Sequence, residues 1–416
     1  IMYLWIVIVG GAFAFFAAGG IGANDAANAF ATSVGSKALT IKQAVVLAAI
    51  FETGGAVLMG SHVTNTIRKG IADYQCFEDE PYLLMYGCLW VIFSVGCWLF
   101  LASYLEMPVS TTHSCVGGMI GMAMMLKGND CVIWYKPVET FPYVGGVGGI
   151  VMSWFLSPIF SGAIAMVLFA VTRASVLRKD FNSNRINFAY PILIGSTMTI
   201  NAFFIIYKGA KGLGLDKTPL GVAFGAAFGI GGLSALITIP IVPKLKKYVQ
   251  DKFGEHHQTT NVEMENKLET NQIEFNIKGE HELQRVTDLH NNAEKFDNRT
   301  EGTFKYLQIF TAVCDAFSHG ANDVANAIGP FVTIYTIYNS GGVLDKKSDM
   351  GQDAYWILAL GGVGIASGLF IYGKKITYAI GEKLVKITPS RGVAIELSSA
   401  LVIITGSRLK IPLSTT

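Results

Sequence analysis

The chain of 416 residues is 51% hydrophobic and 15% charged, whereas an ordinary soluble domain is about 25% charged. Its formal net charge of +2 gives no indication of nucleic-acid binding. This composition argues against a soluble protein and is typical of an all-α protein that crosses a bilayer several times. Most of its eight apolar runs approach or exceed the ~20 residues that span a bilayer as a helix, and none alternates like a barrel strand. In chain order the runs are 1–19, 44–60, 82–105, 143–171, 188–207, 220–242, 355–373 and 393–406.

The chain contains an internal duplication. GANDAANAFATSVG at 22–35 is followed 298 residues later (320 − 22) by GANDVANAIGPFVT at 320–333. MPVSTT at 107–112 recurs as IPLSTT at 411–416, an offset of 304 (411 − 107). Between these blocks, Gly55-x4-Gly60-x3-Thr64 recurs as Gly368-x4-Gly373-x3-Thr377, an offset of 313 (368 − 55). Just before the STT strings, Ser94, Ser103, Leu105 and Pro108 recur as Ser398, Ser407, Leu409 and Pro412. Four blocks in one order with similar offsets indicate two repeats.

The duplication divides the chain into three parts. We predict a first membrane repeat with its following spans over 1–243, a polar cytoplasmic loop without regular structure over 244–303, and a second repeat over 304–416. The first STT string continues as His113-Ser114-Cys115, whereas the second is the last of the sequence. We therefore expect the second repeat to be truncated, and we do not expect this fragment to transport by itself.

The STT strings have the properties of anion sites. Each follows a proline, and the apolar stretch after the first, 115–126, is too short to span a bilayer. A short helix that starts inside the membrane directs free backbone N–H groups and its positive dipole end at one point, and the hydroxyls add donors. One copy alone would suggest a polar helix cap, but two copies at matching places favour a site for a tetrahedral oxyanion such as phosphate. Its predicted ligands are Ser110, Thr111, Thr112, Ser414, Thr415 and Thr416.

The GAND strings have the properties of cation sites. Their carboxylate and amide oxygens are ligands that hard cations prefer, and the surrounding Gly and Ala allow a broken helix whose carbonyls could join them. An aspartate inside a span indicates function, unless it lies at a membrane end and caps a helix. A cation held there would also compensate the charge of a phosphate that leaves water. The predicted cation ligands are Asn24, Asp25, Asn28, Asn322, Asp323 and Asn326.

Four further ionisable residues leave alternatives open. Glu52 and Glu396 lie in apolar runs, and each could be a cation ligand, a proton carrier or a neutral hydrogen-bonded packing group. For His113 and His319, hydrogen bonding to a neighbouring ligand is favoured over a proton relay. Ser110, Thr111 and His113 do not suggest a catalytic set, because adjacent helical positions point in different directions and no GxSxG or HExxH string is present.

The cysteines and basic loops give further expectations. Cys88, Cys97, Cys115 and Cys314 lie in apolar segments as small hydrophobic filler, while Cys76 and Cys131 lie in loops and could pair, although the sequence favours leaving them free. The basic residues around 173–185 and 244–247 are separated by two spans, which places both on one side, and the positive-inside tendency makes that side cytoplasmic.

These strings resemble the inorganic phosphate transporter (PiT) family, in particular its eukaryotic sodium-dependent members. The resemblance covers both membrane halves and omits only the central loop. It is carried by GANDAANAFATSVGS (22–36), AIFETGGAVLMGSHVTNTIRKGI (49–71), PVSTTHSCVGG (108–118), SWFLSPIFSGAIA (153–165), HGANDVANAIGP (319–330), IELSSA (395–400) and PLSTT (412–416).

The resemblance implies two inverted repeats with re-entrant hairpins. It further implies phosphate import by cation symport, with phosphate at the STT tips, cations at the GAND strings, and the two glutamates as family features. We therefore expect a multi-pass plasma-membrane symporter that works by alternating access and needs no cofactor beyond the coupling ion Na⁺. An H⁺-coupled phosphate permease or a sulfate permease of the same fold is the alternative. The expected partners are phosphate, Na⁺ or H⁺ and the lipid bilayer, and a homodimer is a further possibility.

Overall fold

The computed structural model describes residues 3–138, 143–207, 215, 218–253, 280–344, 355–383, 386–408 and 413. A few side chains within these ranges, that of Asn28 among them, lie outside the description. Of the second STT string, Ser414, Thr415 and Thr416 also lie outside it, so half of the predicted anion ligands cannot be placed.

Helices make up most of the first half. Local signals set several of their ends: Thr40 and Gln43 form a capping box on α4, Pro81 opens α6, and Ser110 caps α7. In chain order the elements of this half are α1 (Leu4–Ile21), a π-helical turn (Gly22–Ala26), α2 (Ala27–Ala29), α3 (Ala31–Gly35), α4 (Ile41–Met59), α5 (Ser61–Gly70), a 3₁₀ turn (Tyr74–Phe77), α6 (Pro81–Tyr104) and α7 (Thr111–Lys127).

The remaining chain is helical apart from one small antiparallel ribbon, in which Lys136 pairs with Gly145 and Pro137 with Val144. Asp297 caps the longest helix by accepting hydrogen bonds from the backbone N–H groups of Arg299 and Thr300. The elements are a 3₁₀ turn (Asn129–Cys131), β1 (Lys136–Pro137), β2 (Val144–Gly145), α8 (Gly146–Thr172), a π-helical turn (Arg173–Leu177), α9 (Arg185–Ile206), α10 (Leu220–Thr238), α11 (Ile241–Phe253), α12 (Glu280–Asn292), α13 (Asn298–Asn339), α14 (Tyr355–Tyr372), α15 (Lys374–Lys383) and α16 (Pro389–Arg408).

Seven segments of the described chain are long and apolar enough to cross a bilayer. They coincide with seven of the eight predicted runs, which confirms a multi-pass helical membrane protein. The eighth run, 393–406, lies in α16, where Arg391, Glu396 and several hydroxyl residues lower the hydropathy. The 42-residue α13 is ~63 Å long, about twice the hydrocarbon thickness, and carries the second GAND string.

The prediction that 244–303 lacks regular structure was wrong at both ends of that segment. α11 begins before it and extends to residue 253, α12 lies within it, and α13 starts at residue 298. Lysines between the apolar positions of α11 obscure its apolar face in the sequence. Val242 and Val249 nevertheless lie seven residues apart on one face and are fully buried beside Leu307. Residues 254–279 lie outside the described residues.

A disulfide joins Cys76 to Cys131, so the expectation that these two cysteines are free was wrong. Backbone hydrogen bonds between the two loops bring the cysteines together. Asp73 N–H donates to Cys131 O at 2.8 Å, and Ile133 N–H donates to Ile71 O at 2.8 Å. Of the other four cysteines, Cys97 is exposed, and the remaining three are buried as predicted. Because disulfides persist in oxidising compartments, the bond favours a non-cytoplasmic position for this end of the bundle.

The opposite end of the bundle carries the basic loop after α8. The 27 residues of α8 separate that loop from the disulfide end by ~40 Å. There Glu294 accepts hydrogen bonds from Arg173 at 2.7 Å and Arg178 at 3.0 Å, and the Arg173 bond is the main cause that holds the pKa of Glu294 below its usual value. This geometry supports the cytoplasmic assignment of the basic loops.

The two repeats contact each other twice in the same way. A Cβ added at Gly22 would lie 1.8 Å from the carbonyl oxygen of Ile365, and one added at Gly320 would lie 2.1 Å from that of Glu52. Gly320 is 298 residues beyond Gly22 (320 − 22), and Ile365 is 313 beyond Glu52 (365 − 52), which are the offsets of the sequence blocks. Equivalent residues of the two repeats therefore make equivalent tertiary contacts. That the two repeats are inserted into the membrane in opposite orientations stays a prediction.

Neighbouring glycines of α4 offer a test of this close packing. A Cβ at Gly55 would lie 1.9 Å from Phe317 O, whereas a Cβ at Gly54 would meet no atom within 4 Å. We expect Gly55→Ala to lower the free energy of unfolding by about 1–3 kcal/mol or more, because the two helices must separate. Gly54→Ala should stay within about 0.5 kcal/mol of the wild type. Thermal unfolding in detergent measures both, and equal melting temperatures for the two variants would contradict the helix contact.

Candidate functional site

The first STT string forms the tip of a helical hairpin. A Cβ at Gly118 would lie 3.0 Å from Val91 Cγ1, and one at Gly87 would lie 2.8 Å from Met122 Sδ, so α7 returns antiparallel along α6. With 17 residues, α7 is shorter than a bilayer span, as predicted. Ser110 Oγ accepts a hydrogen bond from His113 N–H at 3.2 Å and caps the helix. The first turn of α7 therefore presents Thr111 and Thr112 at a helix N-terminus.

The first GAND string holds this tip in place. Asn24 Nδ2 donates to Met107 O at 3.0 Å and to Ser103 Oγ at 3.1 Å, and its Oδ1 accepts from Val109 N–H at 3.0 Å. The Asp25 carboxylate accepts from the backbone N–H of Thr111 at 3.3 Å. Asn24 thus positions the hairpin turn, a role that sequence reasoning missed. That Asn24 and Asn28 also bind a cation stays a prediction, and the side chain of Asn28 lies outside the described residues.

The second GAND string meets the same tip from the other repeat. Asn326 Nδ2 lies 3.1 Å from the hydroxyl oxygens of both Thr111 and Thr112, and 2.9 Å from Asp323 Oδ1. Thr112 Oγ1 is 3.5 Å from Asp323 Oδ1. The structure therefore brings the predicted anion ligands of one repeat to the predicted cation ligands of the other.

The backbone of the two GAND strings differs. The first string passes through the π-helical turn Gly22–Ala26, which departs from the α-helix as a broken-helix site would. The second string lies inside the continuous helix α13, so the helix is not broken at the second string. The first string can offer backbone carbonyls at its π-helical turn, and in the second string the Asn326 carbonyl lacks an intrahelical donor because Pro330 has no N–H.

Leu413 marks where the second STT string begins. Its carbonyl oxygen accepts hydrogen bonds from Thr112 Oγ1 and from Asn322 Nδ2, each at 3.0 Å. Leu413, which directly precedes Ser414 in the sequence, therefore lies beside the tip of the first string. This proximity agrees with a single shared centre, although the three ligands of the second string cannot be placed themselves.

A buried line of ionisable groups passes through the centre. His319 Nδ1 lies 2.7 Å from Glu52 Oε2, and His319 Nε2 lies 3.0 Å from Asp323 Oδ2. Asp25, His319 and Asp323 each offer a ligand atom within 4.8 Å of the others, and all three are buried. Three carboxylates around one imidazole favour binding of a cation or a proton, since buried charges require compensation. Glu52 was a possible cation ligand from the sequence, but its contact with His319 was not predicted, whereas the i, i+4 spacing of His319 and Asp323 is visible in the sequence.

Two buried acceptor atoms of this centre have no hydrogen-bond partner among the described residues. They are Glu52 Oε1 and Asn326 Oδ1. Buried polar atoms are normally satisfied, and an oxygen without a donor is suited to a hard cation. The residues present thus fit a small cation such as Na⁺.

Glu396 lies outside this centre. Its carboxylate accepts hydrogen bonds from Thr32 and Ser33 at 2.7 Å each, from Gln308 at 3.1 Å and from Thr311 at 2.5 Å. These hydrogen bonds join α3, α13 and α16, which agrees with one of the alternatives that the sequence left open, a hydrogen-bonded packing group. A coupling role for Glu396 stays a prediction.

A duplicated helical membrane protein that buries carboxylates and a hydroxyl-bearing helix end between its halves has the architecture of a secondary transporter. The model of the phosphate transporter family matches residues 21–416, and the chain belongs to this family. A putative phosphate permease of Haemophilus influenzae is 34% identical over 99% of this chain and 85% of its own length. Sodium-dependent phosphate transporter 1-A of Danio rerio is 28% identical over 99% of this chain and 87% of its own. A solved structure described as the sodium-dependent phosphate transporter matches with a TM-score of 0.75 and 32% identity, over 99% of this chain and 86% of that one.

Proposed function

We propose that the protein imports inorganic phosphate across the plasma membrane by symport with Na⁺, through alternating access to one central site. Phosphate transport follows from the family. The coupling to Na⁺ is supported by the names of the Danio rerio relative and of the solved structure. The observation that carries the proposal is the meeting of the Thr111–Thr112 hydroxyls with Asn326 and Asp323.

The phosphate half of the site is the N-terminus of α7. Ser110, Thr111 and Thr112 supply hydroxyls there, and the first-turn N–H groups and the helix dipole favour an anion. Ser414, Thr415 and Thr416 complete this half in the proposal, since Leu413 lies against Thr112. Two such tips would surround a tetrahedral anion with donors and without a fixed positive charge.

The cation half consists of Asp25 and Asp323 with the oxygens of Glu52 and Asn326. These carboxylates would repel a phosphate that approached the α7 tip without a cation. Bound Na⁺ removes that repulsion, so each ion strengthens the binding of the other by the same factor. Accumulation of phosphate against its gradient then follows from the Na⁺ gradient.

His319 favours H⁺ as the alternative coupling ion. Its imidazole lies between the carboxylates of Glu52 and Asp323, at 2.7 and 3.0 Å, and could carry a proton between them. Under this alternative, a pH gradient would drive phosphate uptake without Na⁺.

Radiolabelled phosphate uptake into proteoliposomes that contain the full-length protein tests the proposal. We expect accumulation above the external concentration with an inward Na⁺ gradient and a loss of that accumulation when choline replaces Na⁺. A separate arm imposes only a pH gradient, and another offers sulfate in place of phosphate. Uptake that persists in choline would overturn Na⁺ coupling, and entry without accumulation would indicate a channel.

A further inference from the structure

Arg68 of α5 carries a positive charge in the interior. Its side chain is 1% exposed and is among the largest fully buried ones. Within the described residues, no carboxylate lies at ion-pair distance from it and its Nε has no hydrogen-bond partner. Nη1 lies 3.5 Å from Asn65 Oδ1, and the guanidinium also hydrogen-bonds the Tyr74 hydroxyl, so its partners are neutral groups. A buried guanidinium is costly unless an anion compensates it.

A polar line connects Arg68 with the central site. Arg68 lies beside the hydroxyl of Tyr74, which is 2.9 Å from Thr333 Oγ1 on α13. Thr333 lies two turns beyond Asn326 on the same face of that helix, a rise of ~10 Å. α5 follows this face closely, since a Cβ added at Gly329 would lie 3.0 Å from Ile67 Cγ2. Arg68 is thus linked through Tyr74 to Thr333, which lies about two helical turns from the residue, Asn326, that contacts the Thr111–Thr112 tip.

Arg68 lies on the outer side of that tip. The chain leaves α5 towards the Cys76–Cys131 disulfide, which marks the non-cytoplasmic end. The repeat equivalent on the other side is Gly381 (68 + 313), where an added Cβ would lie 2.6 Å from Ala31 O. At this repeat-equivalent position, backbone contact takes the place of the cationic group.

We propose that Arg68 is an outer anion site that phosphate occupies before it reaches the α7 tip. This inference rests on the proposed function. A guanidinium can donate two parallel hydrogen bonds to an oxyanion, whereas the central site contains carboxylates that repel it until Na⁺ is bound. Arg68 thereby raises the local phosphate concentration on the outer side and sets the apparent KM for external phosphate.

Uptake kinetics of the full-length protein in proteoliposomes test the role of Arg68. We expect Arg68→Gln to raise the phosphate KM about tenfold or more, with the maximal rate and the Na⁺ dependence within about twofold of the wild type. Arg68→Lys retains the charge without the planar donor pair and should give an intermediate KM. Lys69→Gln removes the neighbouring charge of α5 and is the control, with an unchanged KM.

A purely structural role gives a different pattern. If Arg68 only anchors Tyr74 against α13, then Tyr74→Phe should reproduce Arg68→Gln, and both should lower the maximal rate and the melting temperature at an unchanged KM. That result would overturn the proposal. Should Arg68→Gln fail to reach the membrane, Arg68→Lys decides: a raised KM at full rate supports the anion site, and an unchanged KM overturns it. Absence of phosphate uptake by the wild type would instead refute the proposed function, which separates the two failures.

Discussion

Replacement of Asp25 or Asp323 by asparagine is expected to lower Na⁺-driven phosphate uptake at least about 100-fold, because removing one partner of a buried charge pair costs ~3–5 kcal/mol. Asn keeps the shape of each side chain, so the Thr111 N–H and the Asn326 amide retain an acceptor oxygen. What is lost is the negative charge that holds the cation. Initial rates of radiolabelled phosphate uptake with an inward Na⁺ gradient measure the effect.

Surface biotinylation must accompany these rates, since a variant that does not reach the membrane says nothing about coupling. Asp288→Asn makes the same change at an exposed position of α12 and should leave uptake unchanged. Undiminished uptake by Asp25→Asn or Asp323→Asn would refute the assignment of that carboxylate to the cation.

Thr112→Val is expected to reduce phosphate uptake by about 10- to 100-fold, chiefly through a higher KM, if each lost hydrogen bond to a charged group is worth ~1.5–3 kcal/mol. Valine has almost the shape of threonine and removes only the hydroxyl. That hydroxyl lies 3.1 Å from Asn326 Nδ2 and donates to Leu413 O at 3.0 Å. The variant should also lose about 1–3 kcal/mol of stability, because Leu413 O loses a buried donor.

The matched control is Thr336→Val on α13. The Thr336 hydroxyl donates to Val332 O of its own helix at 2.7 Å, away from the α7 tip. We expect wild-type KM for phosphate in this control. If Thr112→Val also kept the wild-type KM, the α7 tip would not be where phosphate binds.

The apolar runs were sufficient to predict a multi-pass helical membrane protein. Hydropathy over ~20 residues is a local property, and the bilayer imposes the same length on every span. α11 was missed because three lysines lie between Val242 and Val249, and their common face becomes apparent only when Leu307 packs against it. The Cys76–Cys131 pair, 55 residues apart, depended likewise on two loops that the helices bring together.

The sequence predicted which types of residue form the candidate site, but not which of these residues contact each other. The recurrence of GAND and STT identified the aspartates and the hydroxyls, because a costly polar group in a span is retained for a reason. The role of Asn24 could not be predicted, since its partners Met107 and Val109 lie more than 80 residues away in sequence. The same holds for Glu52 and His319, which are separated by 267 residues.

Composition and repetition thus established the membrane class, the duplication and the chemical nature of the site, since each depends on residue type and spacing along the chain. Helix packing decided which polar groups meet: it joined Glu52 to Asp323 through His319 and assigned Glu396 to a separate hydrogen-bonded cluster. It also placed Arg68 in the interior. The physical reason is that the helices approach each other at glycines such as Gly22, Gly55 and Gly320, where their backbones are in contact. The spacing of residues along the chain does not specify which helix lies on the other side of such a contact.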